Sequence, residues 1–320
     1  MDILTILKEV EPEKGKTVKD STLESYAKTL ERLKKKCDGD SLYKFLNKPK
    51  ETLKCISDNP NSIKTTIVPI LMFLKLKDAD ESIIDAYKEI QDKAIEDINE
   101  HYKSGEKSEK QKQNWLSVEE LKDILLKEED DYETVRAKVR GQLKPNTYLD
   151  TQQYILLKLH LDYPIRNDLA ETEIIPVSQF NKFSPAKQRA GNFLVINKNS
   201  AKLVLNEYKT EKHYGKKEIE LNDDITEALN EWIIWRKKHG YGSNYLFINK
   251  YKNALNSNGI TKAFMRLFRV YDKQISTSMI RHIILTEKFG EVNKEKEEMA
   301  DVMGNSTKTI DEKYVKKNDD

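Results

Sequence analysis

Cysteine is nearly missing from this 320-residue chain, which has only Cys37 and Cys55. They form no CxxC pair, which argues against a disulfide framework, predicts a reduced intracellular setting, and leaves both as ordinary helix residues. Long apolar runs are missing too. The longest, IVPILMFL at 67–74, contains Pro69 and falls short of the roughly 20 residues that span a bilayer. The opening MDILTILKEVEPEKGK begins with an acid and lacks a signal-peptide layout, so a soluble protein is expected. There is no Gly-rich phosphate loop and no HExxH, and the five histidines are scattered. Neither a metal nor a nucleotide cofactor is therefore expected. An excess of one charge is also absent. Lys and Arg number 56 against 54 Asp and Glu, so any anionic partner must be met by an asymmetric arrangement of charge.

The length suffices for two ordinary domains, and the patterns divide the chain accordingly. STLESYAKTLERLKKK (21–36) repeats Leu23, Tyr26, Leu30 and Leu33 on one helical face, with Ser21 and Glu24 spaced as a capping box. Helical patterns continue at 41–49, 62–76 and 81–103, which predicts an N-terminal bundle over residues 1–103. SGEKSEKQKQN (104–114) carries no apolar residue and reads as a linker. A second domain, 115–320, opens with NWLSVEELKDILLKEE, whose Ser117 and Glu120 repeat the capping spacing. Helices are expected there at 146–162 and 223–239. Between them, FLVINKN (193–199), KLVLNEYKT (202–210) and KKEIELN (216–222) alternate as strands. The fold class predicted is mainly α with a small antiparallel β-sheet, and no internal repeat is present.

Candidates for chemistry lie in the second domain. Arg166 follows an apolar helix in YPIRNDLA, Lys209 enters a lysine-rich hairpin in NEYKTEKHYGKK, and Arg281 interrupts the apolar MIRHIIL. Alone, the first reads as a salt-bridged edge arginine, the second as a solvated charge blunting a strand. Arg281 is less ordinary, because a cation inside an apolar stretch needs a partner, and a phosphate is one. Tyr314, ten residues after Gly304 in MGNSTKTIDEKYVKK, is one of fifteen tyrosines. By itself it reads as a packing aromatic.

Taken together and in order, these residues resemble the tyrosine recombinase and integrase superfamily, which shares its catalytic fold with type IB topoisomerases. The family pattern runs Arg, a hairpin Lys, His-x-x-Arg, Gly-His, and a nucleophilic Tyr ten residues after that Gly. Arg166, Lys209, Arg281, Gly304 and Tyr314 fall on those positions. Ser278 stands at the usual His of His-x-x-Arg, and Asn305 at the usual His or Trp after the Gly. Both can hydrogen-bond a phosphate oxygen, though neither exchanges a proton as imidazole does. Asp168 lies two places after the first arginine, where the family commonly has an acid three places after. The resemblance covers roughly residues 115–320 and makes the N-terminal bundle a counterpart of the family's core-binding, DNA-clamping domain.

The resemblance implies an enzyme that breaks and rejoins DNA without ATP or metal. Arg166 and Arg281 stabilise the charged transition state, Tyr314 attacks phosphorus and holds the DNA 3′ end covalently, and Lys209 protonates the departing 5′ oxygen. Its partners are double-stranded DNA and further copies of itself, assembled as a tetramer. The basic face is expected at Lys34, Lys35 and Lys36, at Lys107, Lys110 and Lys112, at Lys187 and Arg189, and at Lys212, Lys216 and Lys217. A supercoil-relaxing type IB topoisomerase, and a DNA-binding protein with weakened catalysis, are the other readings. The Lys, Asn and Ile bias points to an AT-rich source such as a virus or mobile element.

Overall fold

The computed structural model describes residues 2–9, 18–36 and 41–315. Cys37 lies outside them; Cys55 follows the short helix Pro49–Lys54 as its C-cap. The chain divides into two compact units, Met1–Lys107 and Ser108–Asp320.

The first unit is helical. Helices α1 (Asp20–Lys34), α2 (Pro60–Leu76) and α3 (Glu81–Ser104) turn Leu23, Leu30, Ile67, Ile70, Phe73 and Tyr87 into one core. α1 starts on Asp20, one residue before the expected cap, and no side chain caps it. Ser21 lies inside the first turn, where its hydroxyl no longer sits at the N-cap position facing the free N–H groups. α2 begins at Pro60, where the Asn59 side chain accepts from the N–H groups of Asn61 and Ser62 at 3.0 and 3.3 Å. In the stretch read as a linker, Glu109–Asn114 is helical. Ser108 and Gln111 make the reciprocal bonds of a capping box, an S-x-x-Q signal that the lack of apolar residues concealed.

The second unit is built around a helix buried on nearly every face. The Ser117–Glu120 capping box forms and starts α4 (Val118–Lys138). α5 (Pro145–Asp162) then buries eleven of the thirteen positions from Tyr148 to His160, all but Leu149 and Asp150. It is surrounded by α4, by α6 (Asp223–Arg236), by α7 (Ser257–Arg269) and by α8 (Thr277–Met303). Four strands make the sheet, β1 (Glu173–Pro176), β2 (Phe193–Ile196), β3 (Ala201–Leu205) and β4 (Lys217–Leu221), in that order. The last three pair antiparallel as expected, but β1 runs parallel to β2, so the sheet is mixed. β1 is four residues ending in proline and carries no alternation. Its pairing is made by a crossover that local patterning does not register. Leu194, Ile196, Leu203 and Leu205 join the main core, while Phe193, Val195 and Val204 face Ile175 and Phe180 on the other side.

The helix expected at 223–239 ends at Arg236 and gives way to a wider turn, Lys237–Tyr241. Gly240 permits that turn. It has φ +90°, and a Cβ there would lie 2.9 Å from Gln142 Cγ. Arg236 itself is fully buried. Its guanidinium donates to the carbonyls of Leu246 and Tyr245 at 2.7 and 2.6 Å and lies 4.5 Å from the Trp232 ring centroid. Among the described residues, no helix is long and apolar enough to cross a membrane.

Candidate active site

The site is organised by the turn that ends α5. After Asp162 the chain passes through Tyr163–Ile165, presents Arg166, and closes a single 3-10 turn, Asn167–Leu169, pinned by fully buried Leu169. Arg166 is exposed at the N-cap of that turn. Arg281 reaches it from the second turn of α8. One of its N–H groups, Nη1, donates to the Ile165 carbonyl at 3.2 Å, and Nη2 donates to Ser278 Oγ at 3.3 Å.

Asn167 fixes this approach. Its Nδ2 donates to the Ser257 carbonyl and to Thr261 Oγ1, both at 2.9 Å, and its Oδ1 accepts from Thr277 Oγ1 at 2.7 Å. One side chain thus ties the Arg166 turn to the first turns of α7 and α8. An isolated asparagine beside an arginine carries no sequence signal of this kind.

The electrostatics follow from the proximity. Burial lowers the pKa of the half-buried Arg281, the like charge of Arg166 lowers it further, and Asp168 opposes both. The Asp168 carboxyl is pushed up by burial and pulled back by Arg166, Arg281 and Lys217. Two guanidinium groups that repel one another are offset by one half-buried carboxyl, an excess of positive charge that an anion can offset further.

Lys209 is exposed in the connection between β3 and β4, past the end of the strand rather than at it. The charge from this hairpin that reaches Asp168 is Lys217, the first residue of β4, whose Nζ lies 5.9 Å from the Tyr208 ring centroid. Tyr314 ends the last helical turn, Ile310–Tyr314, and is 56% exposed. Among the described residues no hydrogen bond links it to either arginine. Gly304 ends α8 with φ +62°. The Asn305 N–H donates to the Ala300 carbonyl at 2.9 Å, and the Gly304 N–H to that of Asp301 at 3.1 Å. This is a Schellman cap, so the glycine has a backbone reason of its own. Asn305 turns its amide onto the Met303 carbonyl at 3.1 Å.

The remaining cations expected to face DNA are on the surface. Lys110, Lys112, Lys187 (over the Phe183 ring), Arg189, Lys212 and Lys216 (paired with Glu218) are exposed in the second unit, and Lys107 is exposed at the end of the first. Lys34, Lys35 and Lys36 are exposed in the first, with Lys36 donating to the Cys55 carbonyl at 2.8 Å.

His160 lies behind the arginines and was not legible as part of the site. It is wholly buried, with Nδ1 2.9 Å from the Leu156 carbonyl and its ring edge-on to Phe264. Nε2 lies near the Arg166 main chain without a hydrogen bond of normal geometry. Burial and the charge of Arg281 hold the imidazole down at about 4, so it is neutral near pH 7.

The unfolded chain takes up this proton near the usual value of about 6.5, and the folded chain does not. Stability is therefore lost as pH falls from about 6.5 toward about 4, by up to about 3 kcal/mol. Glu128, pushed up to about 7 by burial and Asp131, titrates in the opposite sense. The test is accordingly a difference, the unfolding free energy of the natural chain minus that of His160→Gln at pH 7 and pH 4.5. It is expected to fall with pH, and an unchanged difference would refute a buried neutral imidazole. Tryptophan emission reads the second unit alone, since Trp115, Trp232 and Trp235 all lie there.

A helical domain with a small sheet, two converging arginines, a lysine-bearing hairpin and a tyrosine beyond a glycine-capped helix has the form of a tyrosine recombinase catalytic domain. Residues 188–319 match the family model described as "Phage integrase family". The matched segment carries Lys209, Ser278, Arg281, Gly304 and Tyr314, and over it the chain is similar to the tyrosine recombinase and integrase superfamily. Searches of curated proteins and of solved structures return no match to the chain.

Proposed function

We propose that the protein is a site-specific DNA recombinase or integrase working through a covalent 3′-phosphotyrosine. The observation that carries the reading is the convergence of Arg166 and Arg281. Bringing two guanidinium groups together is unfavourable unless anions join them, and a DNA phosphodiester supplies two charged non-bridging oxygens that two forks can grip.

Negative charge grows on the non-bridging oxygens as the reaction proceeds, so the grip tightens toward the transition state. The Tyr314 phenol loses its proton to water and its oxygen attacks phosphorus. The bond from phosphorus to the 5′ oxygen breaks, and that oxygen takes a proton from Lys209. The energy of the broken ester is kept in the new one, so a 5′ hydroxyl of another strand reverses the step without ATP. In this reading Ser278 and Asn305 contribute as hydrogen-bonding groups only, while Lys217 adds positive charge beside Asp168. Exposed Leu285, Phe289, Val292 and Met299 line one side of α8 and offer apolar surface for association of copies into a tetramer.

A nicked suicide duplex tests the reading. A covalent protein–DNA adduct is expected that survives denaturant and is absent from Tyr314→Phe. No adduct on any duplex would leave a protein that binds DNA without cutting it, and relaxation of supercoiled plasmid by monomer would favour a type IB topoisomerase.

A further inference from the structure

Besides Asn167, a second asparagine joins parts of the site that lie far apart in sequence. Asn192 precedes β2 and is 6% exposed. Its Nδ2 donates to the Asp168 and Glu207 carbonyls, both at 2.9 Å. Its Oδ1 accepts from the N–H groups of Asn206 and Glu207, both at 2.8 Å. Both donors and both lone pairs of the amide are used, and two carbonyls facing Nδ2 settle which way the group points.

The partners give these bonds meaning. Asp168 is two residues after Arg166, and Glu207 is two residues before Lys209. The same side chain therefore holds the arginine turn and the root of the lysine loop to one another. Asn206 secures the root from the other side, donating to the Gln188 and Gly191 carbonyls at 2.9 and 2.7 Å. Tyr208 closes the loop across its base by donating to the Gly215 carbonyl at 2.7 Å.

We infer that Asn192 is a positioning residue that couples the Lys209 loop to the Arg166 turn, setting where the leaving-group proton is delivered relative to the phosphate held by the arginines. The inference rests on the strand-transfer reading above. It does not make Asn192 a proton donor. An amide has no titrating proton near neutral pH, and its bonds here are all to main chain.

A substrate with sulfur at the bridging 5′ position separates this role from a merely structural one. Thiolate leaves without protonation, because a thiol has a pKa of about 8.5, so such a substrate no longer needs a positioned acid. Asn192→Asp keeps the two accepting bonds but places a charge against two carbonyls. Asn192→Ala, which buries no charge, is run beside it in case the carboxylate unfolds the domain. On the ordinary phosphodiester both variants are expected to cleave roughly 10- to 100-fold more slowly, a part of the ~10²–10⁴ that a general acid contributes. On the sulfur substrate they are expected to match the natural chain within about threefold, as Lys209→Ala does, while Arg281→Ala stays slow on both.

Equal slowing on both substrates, or no slowing on either, would overturn the inference. A second readout needs no catalysis: amide hydrogen exchange in residues 206–216 should speed up in the variants while β2 and β3 stay protected. Exchange in the loop that is unchanged would also overturn it. If the natural chain makes no adduct on any DNA, the strand-transfer reading falls by itself, and the exchange result still decides whether Asn192 holds the loop.

Discussion

Replacing Arg281 with alanine is expected to slow DNA cleavage by about 10³-fold, some 4 kcal/mol of transition-state stabilisation, while DNA affinity changes by less than about tenfold. The asymmetry comes from what the guanidinium does in each state. In the free protein it is held by the Ile165 carbonyl and Ser278 at the edge of the site, repelled by Arg166. Once a phosphate is gripped, that repulsion becomes shared attraction, and it grows as charge develops on the oxygens. Binding loses one phosphate contact among many, whereas the reaction loses one of two oriented forks. Arg281→Lys is expected to recover only part of the rate, because a point charge cannot reproduce the fork. Single-turnover cleavage on a suicide duplex, beside a binding titration at two salt concentrations, measures both quantities. A rate within threefold of the natural chain would remove Arg281 from the site. Unfolding free energy is expected to stay within about 1 kcal/mol, since the variant also relieves a like-charge contact.

The largest effect on stability is expected at Arg236. Arg236→Ala should destabilise the second unit by about 3–5 kcal/mol, a fall in Tm of roughly 10 °C. The Arg236 guanidinium is buried with no carboxylate beside it among the described residues. Main-chain carbonyls at Tyr245 and Leu246 accept from its two terminal nitrogens, with a long contact to Ser243 at 3.4 Å and one to the Tyr148 hydroxyl at 3.3 Å, while Nε has no hydrogen-bond partner among the described residues. Removing it leaves those carbonyls buried without donors and opens a void beneath Trp232. Arg236→Met fills much of the void but restores no donor, so it should recover only part of the loss. Tryptophan emission during denaturant unfolding reports this directly, because Trp232 stacks against the guanidinium. A loss below about 1 kcal/mol in Arg236→Ala would show that the segment carrying those carbonyls is held by its other contacts.

Arg236 and Arg281 also mark where sequence reading works and where it stops. Both are cations in apolar surroundings. Arg281 was legible as a candidate because it falls in an ordered series with Arg166, Lys209, Gly304 and Tyr314. Arg236 stands in EWIIWRKKHG with nothing to set it apart from a solvated helix end. The difference is that its partners are main-chain carbonyls, and every residue has one. Asn192 was invisible for the same reason, since its bonds are all to main chain, and Asn167 because its partners, one carbonyl and two threonine hydroxyls, lie about 90 to 110 residues away. The parallel pairing of β1 was hidden because register across a crossover depends on which faces are buried, which four residues do not reveal.

What the sequence determined by itself was whatever depends on neighbours along the chain. That includes the helical periodicity of α1 and α4, the capping box of Ser117 and Glu120, the alternation of β2 to β4, and the ordered series of candidate groups. Such features arise from local hydrogen bonding and from one face of an element meeting a core, and both leave a period in the residues. Tertiary structure alone decided that Arg281 meets the carbonyl before Arg166, that Lys217 rather than Lys209 shares the field of Asp168, and that a neutral His160 lies behind them. Those outcomes depend on burial and on charges brought together from separate elements. Only the folded chain sets these, because the energies involved act through space and not along the sequence.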